Sequence, residues 1–321
     1  MIIEPIPDKV FGAEVQGVRL AALSNSEFSA IHSAFLEHGF LVFPGQFLTN
    51  EENIAFGERF GALEFGALPL ANRIRQKDGS YGDVVPVSAQ LMRTNIGNEA
   101  WHTDSTYQPI SSKCAMLSAL EVPDSGGETD LADTRDAYDT LDDETRRRID
   151  GLSAYHSTQY SQAADIANFP EAEDRIYHGE AYLRPLVKVH PETGRRSLFI
   201  GRHAFAIPGL SRAESENLLA DLLAHTLADE RRLYRHHWQP GDTLIWDNRA
   251  LLHRARPYDY SAPRVLVGTR VLGDEASELA YYPDDPRAEA GRVALSTELG
   301  LLKQEIASGT RRPRLEGRPA G

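Results

Sequence analysis

The sequence predicts a mainly β protein in which helices decorate an antiparallel β-sandwich or jelly roll. Short apolar segments typical of strands recur along most of the 321 residues, and segments with helical spacing are inserted early and late. No internal repeat or change in composition divides the chain, whose length is compatible with one elaborated domain.

Two helix starts of the same kind open the chain. Ser24 with Glu27, and Thr49 with Glu52, have the spacing of a capping box, and apolar residues follow each at helical intervals. Between them, HGFLVFPG is an apolar run closed by Pro-Gly, which indicates a buried strand. Residues 66–93 are rich in turn formers and lack a sustained period, which predicts an irregular active-site lid.

Further strands and helices follow in order. Residues 113–122 indicate a strand ended by PDSGG, and residues 142–149 a short helix before a polar connection around 155–182. Residues 186–190 and 198–201 predict a hairpin, and Ser211 with Glu214 begins a third capped helix. The remaining strand segments are 233–238, 243–246 and 264–272. Arginines among Pro and Gly from about residue 308 predict a mobile tail.

Composition excludes several classes of protein. The chain has 34 Lys and Arg against 47 Asp and Glu, a net charge of −13, which argues against nucleic acid or an anionic membrane as partner. It has neither a long apolar run nor a secretory leader pattern, so we expect a cytoplasmic protein without a membrane span. The single cysteine, Cys114, excludes an internal disulfide framework.

The segment WHTD contains a possible pair of metal ligands. If it is extended, the side chains of His102 and Asp104 point to the same face and converge on one point. His253 follows GDTLIWDNRALL, a turn, an apolar strand and a polar cluster, so we expect it at or just past a strand end. Two histidines and a carboxylate suit a non-haem Fe(II) oxygenase, but a zinc hydrolase can use the same residue types.

Arg264 favours the oxygenase over the hydrolase. It begins the last predicted strand, beyond the turn YDYSAP, and an antiparallel return from that turn would bring its guanidinium beside the metal. A guanidinium there suits bidentate pairing with a dicarboxylate such as 2-oxoglutarate.

Several ordered blocks carry a resemblance to a known family. WHTDSTY, SALEVPDSGGETDLADTRDAYDTL, VHPETGRRSLFIG, GDTLIWDNRALLHR and the Arg264 strand resemble the Fe(II)/2-oxoglutarate dioxygenases of the taurine dioxygenase and 2,4-dichlorophenoxyacetate dioxygenase family. The resemblance runs from about Pro5 to Asp274 and is closer to the phenoxyacetate branch. It implies a double-stranded β-helix (jelly roll, cupin-like) core, a single catalytic domain over residues 1–275 and a C-terminal extension over residues 276–321.

The resemblance also implies roles for individual residues. It matches His102, Asp104 and His253 to the iron ligands, and Thr129 and Arg264 to the groups that hold 2-oxoglutarate. Trp246 belongs to the same blocks and is expected in the core, with Asp247 and Asn248 as turn or hydrogen-bonding groups near the metal ligands.

Three further residues are tentative substrate contacts. Asn98 matches a substrate-side Asn of the taurine branch, and His203 matches a histidine that the phenoxyacetate branch places near substrate. Both branches carry a second arginine for the acidic head of the substrate, but Gly268 occupies that position here. Arg270 is the nearest replacement and has the same facing in an unbulged strand, where it either reaches a displaced anion or faces solvent.

The implied activity is Fe(II)-dependent hydroxylation of an unactivated C–H bond in a small organic substrate, expected to be an acid. The reaction consumes 2-oxoglutarate and O₂ and releases succinate and CO₂, and hydroxylation beside an ether oxygen or a sulfonate would lead to C–O or C–S cleavage. Two alternatives stay open, a non-catalytic metal-binding jelly-roll module for sensing or binding and a zinc hydrolase on the same scaffold. The expected partner is a small molecule, and a homo-oligomer is left open.

Overall fold

The computed structural model describes residues 1–171, 177–280 and 286–315, and these residues form a sheet-rich fold with helices. The strands are β1 (Ile2–Pro5), β2 (Ala13–Gln16), β3 (Phe40–Phe43), β4 (Leu63–Ala71), β5 (Arg73–Arg75), β6 (Tyr81–Val84), β7 (Ser112–Glu121), β8 (Thr129–Asp133), β9 (Ser153–His156), β10 (Tyr182–Pro185), β11 (Val187–Val189), β12 (Arg196–Leu198), β13 (Ala204–Phe205), β14 (Leu233–His236), β15 (Thr243–Asp247), β16 (Leu251–Ala255) and β17 (Val265–Leu272). The α-helices are α1 (Asn25–His38), α2 (Asn50–Glu58), α3 (Gln90–Gly97), α4 (Thr134–Asp139), α5 (Asp143–Ile149), α6 (Thr158–Ile166), α7 (Arg212–Leu227), α8 (Glu275–Glu278) and α9 (Pro286–Ala307).

Two sheets frame the centre of the molecule. The larger has seven strands in the order β1-β2-β3-β15-β7-β17-β4, antiparallel except for β2 with β3, and the smaller has the order β14-β8-β16. Leu131 of β8 and Leu251 of β16 pack in one apolar cluster with Leu117, Leu244 and Leu266 of the larger sheet. The two sheets therefore face each other across a shared core.

The predicted capped helices are confirmed. The capping boxes of α1, α2 and α7 are complete, because each N-cap hydroxyl accepts from the backbone of the Glu three residues later and that Glu accepts from the N-cap backbone. Each such cap contributes about 1 kcal/mol. Phe35 of α1 and Phe56 of α2 pack with Phe43 and Met116 on the face of the larger sheet away from the smaller one.

The structure contradicts the prediction of an irregular segment at 66–93. Most of this stretch lies in β4, the hairpin of β5 and β6, and α3, and β4 pairs with β17 along its length. β4 is one of the two edge strands of the larger sheet, where Pro69 is tolerated because one side of an edge strand needs no ladder hydrogen bonds. The turn-forming residues of this segment therefore led to the prediction of a loop where the chain forms an edge strand.

The polar connection predicted around residues 155–182 is also wrong for its first part. β9 ends at His156 and α6 follows, and every α6 residue except the last is buried. Polar residues such as Gln159, Gln162 and Asp165 are buried in this helix, whereas in the sequence their polarity suggested an exposed connection. Residues 172–176 of this connection lie outside the described residues.

The predicted mobile tail is packed against the body as far as residue 315. The backbone N–H groups of Arg314 and Leu315 donate to the carbonyls of Ala164 and Asp165 at the end of α6, at 2.9 and 3.0 Å. The Arg314 guanidinium also pairs with the buried carboxylate of Asp165 at 2.6 Å. Residues 316–321 lie outside the described residues.

The remaining strand predictions are confirmed. Residues 113–122 correspond to β7, and the last three segments to β14, β15 and β17. The predicted hairpin is formed by β11 and β12, but its second strand begins two residues earlier than the predicted 198–201. The helix predicted at 142–149 is α5, and Cys114 is buried in β7. No described helix is long and apolar enough to span a membrane.

Candidate metal centre and active site

The structure brings together the three predicted metal ligands. His102 forms an isolated bridge with His253, in which each backbone N–H donates to the other residue's carbonyl at 2.9 Å. Asp104 lies in the turn that follows, and its Oδ2 is 3.5 Å from Nε2 of His253. One ligand atom from each of the three buried residues lies within 4.8 Å of the other two. His253 lies in the middle of β16, so the prediction that it sits at a strand end is wrong.

Hydrogen bonds orient the His102 side chain and hold the backbone of Asp104. Nδ1 of His102 donates to the carbonyl of Ala100 at 2.8 Å, which leaves Nε2 with a free lone pair. The backbone N–H of Asp104 donates to Oδ1 of Asn248, which also accepts from Nε1 of Trp246. Asn248 therefore belongs to the hydrogen-bonding groups predicted around the metal ligands.

The unpaired atoms of this cluster fit a divalent metal ion. Oδ2 of Asp104 is buried and has no hydrogen-bond partner among the described residues. A buried carboxylate oxygen is costly to leave unpaired, and a metal ion would satisfy it. Two imidazoles and one carboxylate on one side leave further coordination positions open, which is the arrangement typical of Fe(II) oxygenases.

Burial and neighbouring charges set the protonation states of the three side chains. Burial lowers the pKa of His253 to about 4, and burial followed by the nearby His253 holds the pKa of His102 well below its usual range. Burial alone would raise the pKa of Asp104, but the positive charge of Arg270 and then the two histidines outweigh it and hold that pKa low. All three side chains are therefore in the form that binds metal at neutral pH.

Thr129 and Arg264 line the same cavity as the three ligands. Thr129 begins β8, and its Oγ1 accepts from Nε1 of Trp238 at 3.1 Å. Arg264 is 9% exposed, and its Nε and Nη2 both donate to the carbonyl of Gly127. Burial lowers the pKa of Arg264, but an arginine stays charged at any physiological pH.

A glycine lets Arg264 approach this carbonyl. Gly127 has a φ of +71°, and a Cβ there would lie 2.9 Å from Nε of Arg264. Only glycine adopts such a conformation readily while leaving room for the guanidinium. This is the local reason for the second glycine in PDSGGET.

The three tentative substrate contacts have different positions. Asn98 lines the cavity, at the end of α3. His203 does not line it within the described part of the chain, but its ring lies 6.1 Å from that of His102 and its Nδ1 is 2.9 Å from the hydroxyl of Ser161. Gly268 is enclosed by apolar side chains, because a Cβ there would lie 3.2 Å from Leu70.

Arg270 lines the cavity and is not directed to solvent. Its Nη2 donates to Oδ1 of Asp104 at 2.6 Å, and its guanidinium lies 4.7 Å from the ring centre of Phe65. The sequence prediction offered an anion or solvent as its environment and did not include an ion pair with a metal-ligand candidate.

Sequence reasoning missed other residues of the cavity. Phe65 and Asn95 line it from either side of the segment predicted to be irregular, and the buried Glu99 lines it beside Asn98. The hydroxyl of Tyr260 donates to Glu99. Tyr260 lies in the turn before Arg264, and no local pattern connects it with Glu99, which follows α3, so only the folded chain shows this contact.

Comparisons with known proteins agree with this geometry. A family model described as "Taurine catabolism dioxygenase TauD, TfdA family" matches residues 3–270. The "(S)-phenoxypropionate/alpha-ketoglutarate-dioxygenase" of Sphingobium herbicidovorans is 47% identical over 279 residues, which cover 85% of this chain and 96% of that protein. The "Alpha-ketoglutarate-dependent 2,4-dichlorophenoxyacetate dioxygenase" of Cupriavidus pinatubonensis is 38% identical over 277 residues, or 83% of this chain and 96% of the relative.

A solved structure supports the same relationship. The crystal structure of AAD-2 in complex with Mn(II) and N-oxalylglycine superposes with a TM-score of 0.78 at 35% identity, covering 85% of this chain and 97% of that one. The family match extends over most of the chain and includes all the predicted metal and co-substrate residues. The chain therefore belongs to the TauD/TfdA family and is an Fe(II)- and 2-oxoglutarate-dependent dioxygenase.

Proposed function

We propose that the protein hydroxylates an aryloxyalkanoic acid, such as (S)-2-phenoxypropionate, at the carbon that bears the ether oxygen. Hydroxylation there gives a hemiketal, which collapses to a phenol and a 2-oxo acid. The co-substrates 2-oxoglutarate and O₂ become succinate and CO₂, with one oxygen atom going to succinate and one to the substrate. The names of the two relatives described above support this substrate class.

The observation that carries the proposal is the convergence of a metal-binding triad and an anion-binding arginine in one cavity. We assign the metal to Nε2 of His102, Oδ2 of Asp104 and Nε2 of His253. When bound, Fe(II) with 2-oxoglutarate and O₂ supplies an oxidant able to attack an unactivated C–H bond. The protein's task is to hold both organic acids in register beside that metal.

We assign 2-oxoglutarate to Arg264 and Thr129. Gly127 accepts from one edge of the Arg264 guanidinium, so the remaining N–H groups are available to a carboxylate. The Thr129 hydroxyl already accepts from Trp238, so its own proton is free for donation to the co-substrate. Both groups thus offer donors to an anion.

We assign the substrate to the other side of the cavity. Leu70, Leu117 and Gly268 form an apolar wall that suits an aryl ring. Asn98 and the Nε of Arg270, which makes no hydrogen bond with any described residue, offer donors to the substrate carboxylate. His203 stays a proposed contact through its position beside His102.

Facing sheets with a shared core support a double-stranded β-helix, or jelly roll, as the catalytic fold. We place the catalytic domain at residues 1–275 and a C-terminal extension at 276–321, because the family match ends at residue 270.

A product assay tests the proposed substrate. Purified protein with Fe(II), 2-oxoglutarate and O₂ is given (S)- and (R)-2-phenoxypropionate, the neutral alcohol 2-phenoxypropanol, and taurine. We expect succinate and phenol in equal amounts from an aryloxy acid, and far less turnover with the alcohol because it lacks the carboxylate. Succinate release with taurine but with neither aryloxy acid would refute this substrate class.

Arg264→Ala tests the co-substrate assignment. Loss of a charge-assisted bidentate pair costs about 2–5 kcal/mol, so the KM for 2-oxoglutarate should rise at least about 30-fold. Mn(II) affinity should stay unchanged, because Arg264 contacts none of the three ligand candidates. Loss of metal binding with an unchanged KM would show that the roles are misassigned.

A further inference from the structure

Arg270 owes its position to irregular pairing between β4 and β17. Gly268 pairs with Leu68, but Arg270 pairs with Phe65 and Val271 with Leu63, so β4 contains extra residues on both sides of Phe65. Such bulges re-aim neighbouring side chains. Here they place Phe65 and Glu64 of β4 next to the Arg270 side chain, which enters the cavity beside Asp104.

The Arg270 guanidinium connects two anions through the turn that holds Asp104. Its Nη2 donates to Oδ1 of Asp104 at 2.6 Å, and its Nη1 donates to the Ser105 hydroxyl at 3.1 Å. That hydroxyl in turn donates to the Glu64 carboxylate, 2.8 and 2.7 Å from its two oxygens. Arg270 therefore holds both the Asp104 side chain and the residue that follows it.

The two carboxylate oxygens of Asp104 have different environments as a result. Oδ1 is occupied by Arg270, whereas Oδ2 has no hydrogen-bond partner in the described part of the chain and lies 3.5 Å from Nε2 of His253. Ser105 is fully buried with a φ of +53°, a left-handed conformation that non-glycine residues keep only when their surroundings impose it. The contacts of Ser105 with Arg270 and Glu64 are such surroundings.

From these contacts we propose that Arg270 is a positioning residue for the metal-binding carboxylate. It fixes Oδ1 of Asp104, so that Oδ2 is presented to the metal before the metal arrives. The inference rests on the ligand set assigned under the proposed function, and it is separate from any contact between Nε of Arg270 and the substrate. A preorganised ligand binds more tightly, because less conformational freedom is lost on binding.

The test measures metal binding without co-substrate or substrate. The full-length protein is stripped of metal and titrated with Mn(II) alone, and free Mn(II) is followed by EPR. We expect Arg270→Gln to weaken Mn(II) binding about tenfold, as is typical when a group that orients a metal ligand is removed. Arg270→Lys should recover part of the loss, because an ammonium can still pair with Oδ1. Unchanged or tighter Mn(II) binding by folded Arg270→Gln would overturn the proposal.

Arg264→Gln is the matched control. It removes a guanidinium from the same strand region and the same cavity, but one that contacts no ligand candidate. We expect it to bind Mn(II) like the wild type and to weaken 2-oxoglutarate binding. If both Gln variants weaken Mn(II) binding equally, the effect is one of cavity charge and Arg270 is not a positioning residue.

Two further variants keep the test decisive. If Arg270→Gln does not fold, Arg270→Lys and Ser105→Ala test the proposal instead. Each should weaken Mn(II) binding at least about twofold, because each loosens the same hydrogen-bond network. Unchanged Mn(II) binding in both variants would overturn the proposal. Asp104→Ala tests the ligand set itself. If it binds Mn(II) as tightly as the wild type, the proposed metal site is wrong, whatever Arg270 does.

Discussion

Replacement of His156 by leucine should make the protein less sensitive to acid. His156 ends β9 with its ring buried near Phe199, and neither ring nitrogen has a hydrogen-bond partner among the described residues. Burial lowers the pKa of His156 to about 3 from its ordinary value of 6.5. The folded state therefore keeps the ring neutral at pH values where the unfolded chain binds a proton, so stability falls as the pH drops from about 6.5 towards about 3.

The size of this effect follows from the pKa difference. At pH 5 the unfolded chain is protonated at His156 and the folded protein is not. The free energy of unfolding therefore falls by about 1.4 kcal/mol for each pH unit below 6.5, which gives a loss of about 2 kcal/mol at pH 5. His156→Leu removes this cost and leaves no buried polar atom unpaired. Urea unfolding, followed by tryptophan fluorescence at pH 7.5 and pH 5, should show an acid-induced loss about 2 kcal/mol smaller in the variant than in the wild type.

Comparing the acid-induced loss of stability in the variant with that in the wild type separates the contribution of His156 from that of the other buried histidines. His102, His203 and His253 are present in both proteins, so their contributions to the pH dependence cancel. An equal loss of stability in the two proteins on acidification would refute the reasoning. A large loss in the variant at pH 7.5 would show that the imidazole makes a polar contact that leucine cannot replace.

Two stability predictions concern other parts of the fold. Gly201→Ala should cost about 2–4 kcal/mol and weaken Mn(II) binding, since Gly201 has a φ of +126° and its Cβ would lie 3.1 Å from the Trp101 carbonyl oxygen and 3.2 Å from Cα of His102. Gly194→Ala, whose Cβ would meet nothing within 4 Å at a φ of +69°, is the control and should cost only the backbone strain; equal losses would contradict the steric argument. Arg314→Ala should lower the free energy of unfolding by about 1.5–3 kcal/mol, because the buried carboxylate of Asp165 loses an ion-pair partner. Arg311→Ala should cost less than about 1 kcal/mol, since its partner Glu216 is partly exposed, and a tail that contributes nothing would leave both variants as stable as the wild type.

Several features of the protein could be predicted from short stretches of sequence. The capping boxes at Ser24, Thr49 and Ser211 each involve four consecutive residues, so their signal survives whatever the rest of the chain does. The WHTD segment placed two candidate ligands close together for the same reason. Ordered blocks resembling a known family indicated candidate co-substrate residues, and the structure places these two, Thr129 and Arg264, in the cavity with the candidate metal ligands.

Other elements were hidden because their stability comes from distant partners. The sequence of β4 is typical of a loop, but its ladder hydrogen bonds come from β17, which lies about 200 residues later in the chain. α6 is rich in polar residues, yet every residue of it except the last is buried, and α9 and α3 pack against it. The sequence around Arg314 is typical of a disordered tail, but its guanidinium pairs with the carboxylate of Asp165 on α6. Local propensity carries little information where tertiary contacts decide the conformation.

The amino-acid sequence indicated the family and offered the residue types of a candidate metal-binding triad together with an arginine suited to a dicarboxylate. How these side chains are organised depends on the folded chain. An unbulged strand would carry Arg270 one pleat beyond Gly268, whereas the irregular pairing with β4 brings it onto Oδ1 of Asp104. The physical reason is that a bulge and an ion pair depend on the neighbouring strand, and which strand lies next to Arg270 is a property of the folded chain.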